Sequence, residues 1–287
     1  MNDFALGPTR YATLTTRNLD SHVHAWTHWL EQEMVFEGLV TPGQAELWDQ
    51  PNTEGLKVCW LANNLGEPWL QIVEDPEAAY IDPFKYAGWL SLEVNVRNVD
   101  TLAEQLRESP FTIIGEPANL DISKDIRAMQ VIGPGGEVLY LTEIKREIPG
   151  FDIPLARCRI DRLFIPVMLA RNYQDSAATF LEQGAISEAQ FETRITVVNQ
   201  ALGLPNETRH PISTIQLHGK NIIEIDAIPN IPIWKEDQER CGIKEIAFAI
   251  QQGIDSITLD SGPFMNYTAK QITGGNREKI ILLKDPV

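Results

Sequence analysis

A motif that recurs about every eighty residues limits the folds open to this chain more than any other feature of the sequence. Four stretches consist of an alternating apolar run that ends in a polar turn closing on an aspartate: LTTRNLD, VNVRNVD, IPVMLARNYQD and FAIQQGID. The closing residues are Asp20, Asp100, Asp175 and Asp255, which gives separations of 80, 75 and 80 residues. A fixed period of this kind indicates a repeated supersecondary unit. The chain is therefore predicted to consist of four related modules.

Each repeat predicts a strand followed by a helix. Alternation of apolar and polar residues is typical of a half-buried strand, and the closing aspartate is predicted to be the N-cap of the helix. After Asp20, the apolar residues Val23, Trp26 and Leu30 form one helical stripe. Apolar runs that predict further strands then follow in each module: LKVCWLA, EPWLQIV, FTIIGE, RAMQVI, EVLYLTEI, ISTIQL, NIIEIDAI and KIILLK. Each module is thus predicted to have the order βαβββ.

Two departures from this plan and one linker complete the predicted organisation. The third module contains an excess, GAISEAQFETRITVVNQALGLP, with helical periodicity, and the fourth module is short. Residues 186–204 of this excess are predicted to form a lid or flank of the C-terminal cup. The Gly- and Pro-bearing stretch around 146–156 is the predicted linker. It separates a first domain, residues 1–145 (modules 1–80 and 81–145), from a second domain, residues 157–287 (modules 157–240 and 241–287).

Composition limits the cellular location and the binding partners that can be expected. The formal net charge of −16 argues against nucleic acid as a partner, because its recognition draws on clustered Lys and Arg. No window approaches a membrane-spanning apolar run, so no membrane partner is expected. Cys59, Cys158 and Cys241 are widely spaced and odd in number, which predicts no disulfide framework. A cytoplasmic monomer or homodimer is expected.

The order strand, helix and three strands, repeated in pairs, resembles the vicinal oxygen chelate superfamily of glyoxalases, bleomycin-resistance proteins and extradiol dioxygenases. Strand phrases such as RLFIPV and EIAFAI fit that pattern. The resemblance spans nearly the whole chain and implies an α+β fold. In that fold four βαβββ modules are paired into two glyoxalase/dioxygenase-like domains, each with a cup-shaped mixed sheet.

The resemblance also implies where a divalent metal would be held in such a cup. The first-strand ligand positions are Tyr11, Ser91, Arg162 and Glu245, and the last-strand positions are Gln71, Tyr140, Glu224 and Ile281. None of the eight is histidine, although imidazole and carboxylate are the ligands that suit zinc, iron or nickel. We therefore expect no metal and no other cofactor, and no glyoxalase or dioxygenase chemistry of the usual type.

The residues expected to line the N-terminal cup are aromatic or polar. This predicted ligand-binding set is Tyr11, Ser91, Tyr140, Gln71, Trp69 and Glu93, with Thr13 and Thr142 beside them. Such a lining suits a ring-bearing ligand that is held by stacking and a few hydrogen bonds. The alternative is a domain whose inner face is simply filled.

The C-terminal cup is expected to be more polar. Arg162, Glu245 and Glu224 are predicted to converge near the former metal position, with His218 on the same face as Glu224. A guanidinium between two carboxylates could replace the lost metal cation and leave one carboxylate free to act as a base. The alternative is a buried ion pair that only holds the modules together.

Two classes of function follow. The first hypothesis is a metal-independent enzyme, of isomerase, lyase or hydrolase type, acting on a small, partly hydrophobic or aromatic organic molecule. The alternative is a protein of bleomycin-resistance type that binds and sequesters such a molecule, and an extradiol-dioxygenase-like enzyme comes third. Convergence of Arg162 with the glutamates around a cavity favours the enzyme, whereas closed salt bridges beside an open groove favour the binding protein.

Overall fold

The first half of the chain contains two of the predicted modules. The computed structural model describes residues 5–121, 123–150, 152–234, 238–251 and 256–286. Module 1 consists of β1 (Leu6–Thr16), α1 (Leu19–Trp29), β2 (Glu33–Leu39), α2 (Pro42–Leu47), β3 (Lys57–Ala62) and β4 (Pro68–Glu74). Module 2 consists of β5 (Gly88–Val96), α3 (Val99–Leu106), β6 (Thr112–Leu120), β7 (Ser123–Ile132) and β8 (Val138–Ile144).

The second half repeats the plan with variations. Module 3 consists of β9 (Ile160–Ala170), α4 (Tyr173–Glu182), β10 (Ser187–Arg194), α5 (Thr196–Leu202), β11 (Arg209–Gln216) and β12 (Ile222–Ala227). The described part of module 4 consists of β13 (Gly242–Ile250), β14 (Ile257–Thr258), β15 (Thr268–Thr273) and β16 (Lys279–Lys284). Asp255, the last repeat residue, lies outside the described residues. The predicted α+β fold of βαβββ modules is confirmed, and the eight strands predicted from apolar runs are all present.

The strands form two curled eight-stranded sheets of mixed direction. The first has the order β14-β15-β16-β13-β1-β4-β3-β2, and the second has the order β10-β11-β12-β9-β5-β8-β7-β6. Module 1 therefore shares a sheet with module 4, and module 2 with module 3. The expectation that neighbouring modules share a cup is wrong. The reason is that each sheet is joined by the first strands of its modules, β1 with β13 and β5 with β9, both antiparallel.

The concave face of each sheet is where a ligand would be held. We call the concave face of the first sheet cup A, which presents Tyr11, Thr13 and Gln71, and that of the second sheet cup B, which presents Glu93 and Tyr140. On the opposite, convex faces, strands of both sheets and three helices (α1, α3 and α4) form one continuous hydrophobic cluster. That shared cluster leaves the two cups as separate interiors.

The helix caps differ from the sequence prediction. The N-caps are Asn18, Asn98 and Asn172, and their side chains accept from backbone N–H groups of the first turn. The predicted caps Asp20, Asp100 and Asp175 lie two or three residues further on, in the first turn, where a carboxylate complements the positive end of the helix dipole. Among the described residues, no helix is long and apolar enough to cross a membrane.

Candidate functional site

Cup A is filled by aromatic side chains. The ring of Tyr11 lies 4.9 Å from that of Trp60 and 5.1 Å from that of Phe264. Trp48 follows α2 and is also buried in this cluster. The first strand, the α2 region and the segment after β14 therefore all place rings in the same cup, and packed rings of this kind stabilise a core.

Several polar residues of cup A are joined by hydrogen bonds within the cup. The Tyr11 hydroxyl, Nε2 of Gln71 and Oε2 of Glu245 are nevertheless buried without a hydrogen-bond partner among the described residues. The Thr13 hydroxyl lies 3.0 Å from Oε1 of Gln71 and 3.0 Å from Oε1 of Glu245, and the Trp48 indole donates to Glu245 Oε1 at 2.9 Å. Gln44 donates to Gln71 from the α2 side. Burial raises the pKa of Glu245 to about 7, although the bonds from Trp48 and Thr13 lower it. Cup A is thus a packed interior with an internal hydrogen-bond network.

Cup B instead encloses an open cavity of about 530 Å³. Its wall is largely apolar and includes Ile144, Phe164, Ile165, Phe191 and Ile212. Strands β6, β7, β8 and β12 and helix α5 all contribute to the lining. A volume of this size, with apolar side chains and interspersed polar groups, is typical of a small-molecule site.

Three carboxyl groups lie at the base of cup B. Glu93 and Glu224 line the cavity, and Asp226 is fully buried two residues beyond Glu224 on the same strand face. Burial and the neighbouring charge of Glu224 raise the pKa of Glu93 to about 8, and burial raises that of Glu224 to about 7. The pKa of Asp226 is raised by burial and by the charge of Glu224. Cup B therefore concentrates acid groups that ionise near neutral pH.

The hydroxyl groups of cup B provide only some of the hydrogen bonds that these acids can accept. Thr142 donates to Glu93 Oε1 at 2.6 Å. The hydroxyls of Tyr140 and Ser91 are buried without a hydrogen-bond partner among the described residues, and no described N–H or hydroxyl donates to either oxygen of Asp226. Buried polar groups are normally paired, and of these three groups Tyr140 lines the cavity, so its hydroxyl is the candidate for contact with a ligand.

Helix α5 forms one wall of the cavity, and its position is anchored. The buried Asn199 amide donates to the backbone carbonyls of 206 and 208, and its oxygen lies 2.6 Å from Nε2 of His210. The segment read from sequence as a helical excess is instead strand β10 followed by α5, and module 1 has the equivalent pair β2 and α2. Its residues, Phe191 and Val197 among them, flank cup B, which modules 2 and 3 form, and not a cup formed by modules 3 and 4.

The residues predicted for the N-terminal cup are divided between the two cups. Tyr11 and Gln71 lie in cup A, whereas Ser91, Glu93 and Tyr140 lie in cup B. This division follows from the pairing of the modules.

Trp69 lies in neither cup. It packs against Trp26 of α1, with ring centroids 5.6 Å apart, and its indole donates to Gln32. A bulge between β3 and β4 interrupts the pairing at Leu61, so the alternation that predicted Trp69 to face inward is broken there.

The predicted cluster of Arg162, Glu245 and Glu224 does not form. Arg162 Nε lies 3.5 Å from Glu67 Oε2, outside both cups, because bulges in the pairing of β9 with β5 shift the faces of that strand. Glu245 lies in cup A and Glu224 in cup B. His218 is exposed beyond the end of β11. The acid that the sequence analysis missed is Asp226, which the alternation of NIIEIDAI places on the face of Glu224.

Two solved structures align with this chain over nearly its whole length. Glyoxalase I from Zea mays aligns over 96% of this chain and 92% of its own, with 11% identity and a TM-score of 0.61. A candidate dioxygenase from Bacillus subtilis aligns over 99% of this chain and 87% of its own, with 12% identity and a TM-score of 0.64. The chain has the vicinal oxygen chelate fold. No family model and no curated protein matches its sequence.

The metal positions of the vicinal oxygen chelate fold are not suited to a metal here. In cup A, Glu245 stands with Tyr11, Gln71 and Ile281, and in cup B Glu224 stands with Ser91 and Tyr140, while Arg162 points elsewhere. At these ligand positions, each cup thus offers one carboxylate where the fold family uses several His and Glu ligands. Among the described residues, no three His, Cys, Asp or Glu side chains are arranged to hold a metal ion. The residues present therefore do not fit a metal of the usual kind.

Proposed function

We propose that the protein binds a small, largely apolar organic molecule in cup B. The observation that supports this proposal is the cavity of about 530 Å³ in cup B, set against the aromatic filling of the matching face in cup A. Arg162 is paired with Glu67 outside both cups and does not converge with the glutamates around a cavity, which disfavours the enzyme built on Arg162. The alternative of bleomycin-resistance type is thus preferred to the enzyme built on Arg162.

A binding screen with cavity-blocking variants tests this proposal. Thermal shift against aromatic and polyketide-like compounds should find stabilising compounds, because a ligand that binds only the native state raises its stability. Ala128→Phe, on a buried cavity-lining position of β7, should abolish the shift, as should Thr193→Trp at the half-exposed rim. Ala178→Phe, on the exposed face of α4, is the control and should leave the shift unchanged.

Two outcomes would contradict the proposal. One is a screen in which no compound stabilises the parent protein. The other is a set of compounds that still bind both blocked variants, since binding would then lie outside cup B. Unfolding curves of Ala128→Phe and Thr193→Trp show whether each variant retains the fold.

A second candidate function is proton transfer on the bound molecule. It is favoured by the pKa values of Glu93, about 8, and Glu224, about 7, since a general base works best when its pKa is near the operating pH. In this hypothesis Glu224 is the base and Tyr140 a hydrogen-bond donor to the substrate. Exchange of carbon-bound hydrogen for deuterium in a compound that binds, lost in Glu224→Gln, would support it. Binding without exchange would leave the binding function alone.

A further inference from the structure

We propose that the molecule bound in cup B is an organic cation, a protonated amine on an apolar body, whose ammonium group is held by the two cavity-lining acids, Glu93 and Glu224. This inference rests on the proposed binding function of cup B and specifies its ligand. Its first support is the charge balance of the cavity.

Cup B holds buried acid groups without a cation of its own. Of the described residues that line the cavity, Arg194 is the one Lys or Arg. Its guanidinium lies at the rim, 3.0 Å from Asp121 and 3.2 Å from Glu207, so it is already paired with two other acids. Burying carboxylates without a counter-charge is costly, and a cation that enters the cavity would remove that cost.

An unpartnered side chain provides the second, independent support. Tyr140 lines the cavity, is only 8% exposed, and its hydroxyl has no hydrogen-bond partner among the described residues. It is the cross-strand neighbour of Glu93. An ammonium group has three donors and no acceptor, so it can bond to two carboxylates and the Tyr140 oxygen together. The ring of Tyr140 also presents a face of the kind that attracts cations.

The rest of the cavity favours an organic cation over a metal ion. The acids are not arranged to hold a metal. Around them lie apolar side chains such as Phe164, Ile165 and Phe191, which suit a hydrocarbon or aromatic body. A molecule with one basic nitrogen and an apolar skeleton matches both parts of the lining.

Binding of a cation should release protons. The titratable groups that line the cavity are Glu93, Glu224 and Tyr140, with Glu116, Asp121 and Arg194 at the rim. Asp226 is buried beside Glu224 and interacts with it electrostatically. Because burial and mutual repulsion keep part of the acid cluster protonated near pH 7, an ammonium group must favour the ionised forms and lower their pKa. Affinity for the amine should therefore rise from pH 6 to about pH 8.5, whereas affinity for a neutral analogue should fall or stay constant.

Three probes that share one skeleton test the inference: 3,3-diphenylpropylamine, 3,3-diphenylpropanol and 3,3-diphenylpropanoate. We expect calorimetry at pH 8 to show the amine binding at least about tenfold more tightly than the alcohol, the gain usual for a hydrogen bond to a charged group. The carboxylate probe should not bind. Equal affinity of amine and alcohol, with both lost in Ala128→Phe, would overturn the cation inference and leave the binding function intact.

Variants of nearly unchanged shape test which carboxylates bind the ammonium group. Glu93→Gln and Glu224→Gln should each weaken binding of the amine at least about tenfold and change binding of the alcohol by less than about threefold. Because they remove a buried acid without changing shape, both should fold at least as stably as the parent above pH 8. Glu245→Gln, a buried glutamate in cup A, is the matched control and should not change the affinity of either probe. An amine affinity unaffected by both cup B variants would overturn the inference, and failure of all probes and of the compound screen would overturn the binding function itself.

Discussion

Cup A and cup B are built on the same strand plan but have opposite interiors. In cup A, Thr13 of β1 lies between Gln71 and Glu245 on the neighbouring strands. In cup B, Val167 of β9 holds the same place, between Glu224 and Ser91. The hydroxyl that links the two polar neighbours in cup A is thus replaced by a methyl group in cup B.

The next pair of positions continues the contrast. Where cup A places Ala247 beside Ile281, cup B places Glu93 beside Tyr140. Cup A therefore has one acid that accepts from Trp48, and aromatic filling, whereas cup B has an acid cluster and a cavity. Each cup has a buried tyrosine hydroxyl without a partner among the described residues, Tyr11 in cup A and Tyr140 in cup B. The difference is that Tyr11 is enclosed by packed rings, whereas Tyr140 borders the cavity.

The largest expected difference between the cups is in the free energy of unfolding that is lost when an aromatic side chain is truncated. Trp60→Ala should lower the free energy of unfolding by about 3–5 kcal/mol, because it opens a hole among packed aromatic residues. Phe191→Ala, on the wall of an existing cavity, should cost about 1 kcal/mol. Denaturant unfolding of both variants measures this. Equal losses would mean that cup B is packed as tightly as cup A.

The pH dependence of stability should also separate the cups. Burial raises the pKa of Glu93 from 4.5 to about 8 and that of Glu245 from 4.5 to about 7. Protonated in the fold but ionised in the unfolded chain, these groups contribute stability that is complete below about pH 4.5 and is lost as pH rises through the folded pKa. The expected fall in the free energy of unfolding is a few kcal/mol.

Single variants assign that fall to each cup. In Glu245→Gln, the fall in the free energy of unfolding above pH 7 should remain. In Glu93→Gln, the part of that fall that extends to about pH 8 should disappear. Subtracting the parent curve isolates each acid from other groups, such as His210, whose burial lowers its pKa and acts in the opposite direction. Chemical denaturation from pH 5 to 9 is the measurement. Stability that rises over this range in the parent and is unchanged by both variants would show that these acids are solvated.

A smaller effect is expected from exchanging the central residues of the cups. Thr13→Val deprives Gln71 and Glu245 of a shared donor and should cost about 1–3 kcal/mol. Val167→Thr introduces a hydroxyl next to Glu224 and should change stability by less than about 1 kcal/mol, because the new group has an acceptor beside it. The opposite ranking in thermal or denaturant unfolding would refute the assigned roles.

The smallest effect is expected outside the cups. Arg162→Met removes a partly exposed ion pair with Glu67, for which about 1 kcal/mol or less is usual. Glu67 keeps its two hydrogen bonds from Arg157. Ligand affinity in cup B should be unchanged, as calorimetry with a bound compound would show. A loss of binding in this variant would place Arg162 in the site after all.

The sequence by itself determined the modules. The repeat at Asp20, Asp100 and Asp175 marks strand-to-helix junctions whose capping and apolar alternation are local properties, and the strands predicted from EVLYLTEI and NIIEIDAI follow from the same period of two. Local rules also bring Glu224 and Asp226 to one face. The likeness of the four modules to one another was enough to predict the fold.

Only the tertiary structure decided which modules share a cup. The choice depends on long-range pairing of β1 with β13 and of β5 with β9, between strands that are equally compatible with other partners when read singly. Bulges decided the faces of Trp69 and Arg162, because one extra residue reverses every side chain beyond it. Whether a cup is filled depends on how much ring volume distant segments bring together. Distant segments bring enough aromatic side chains together to fill cup A, whereas cup B retains a cavity.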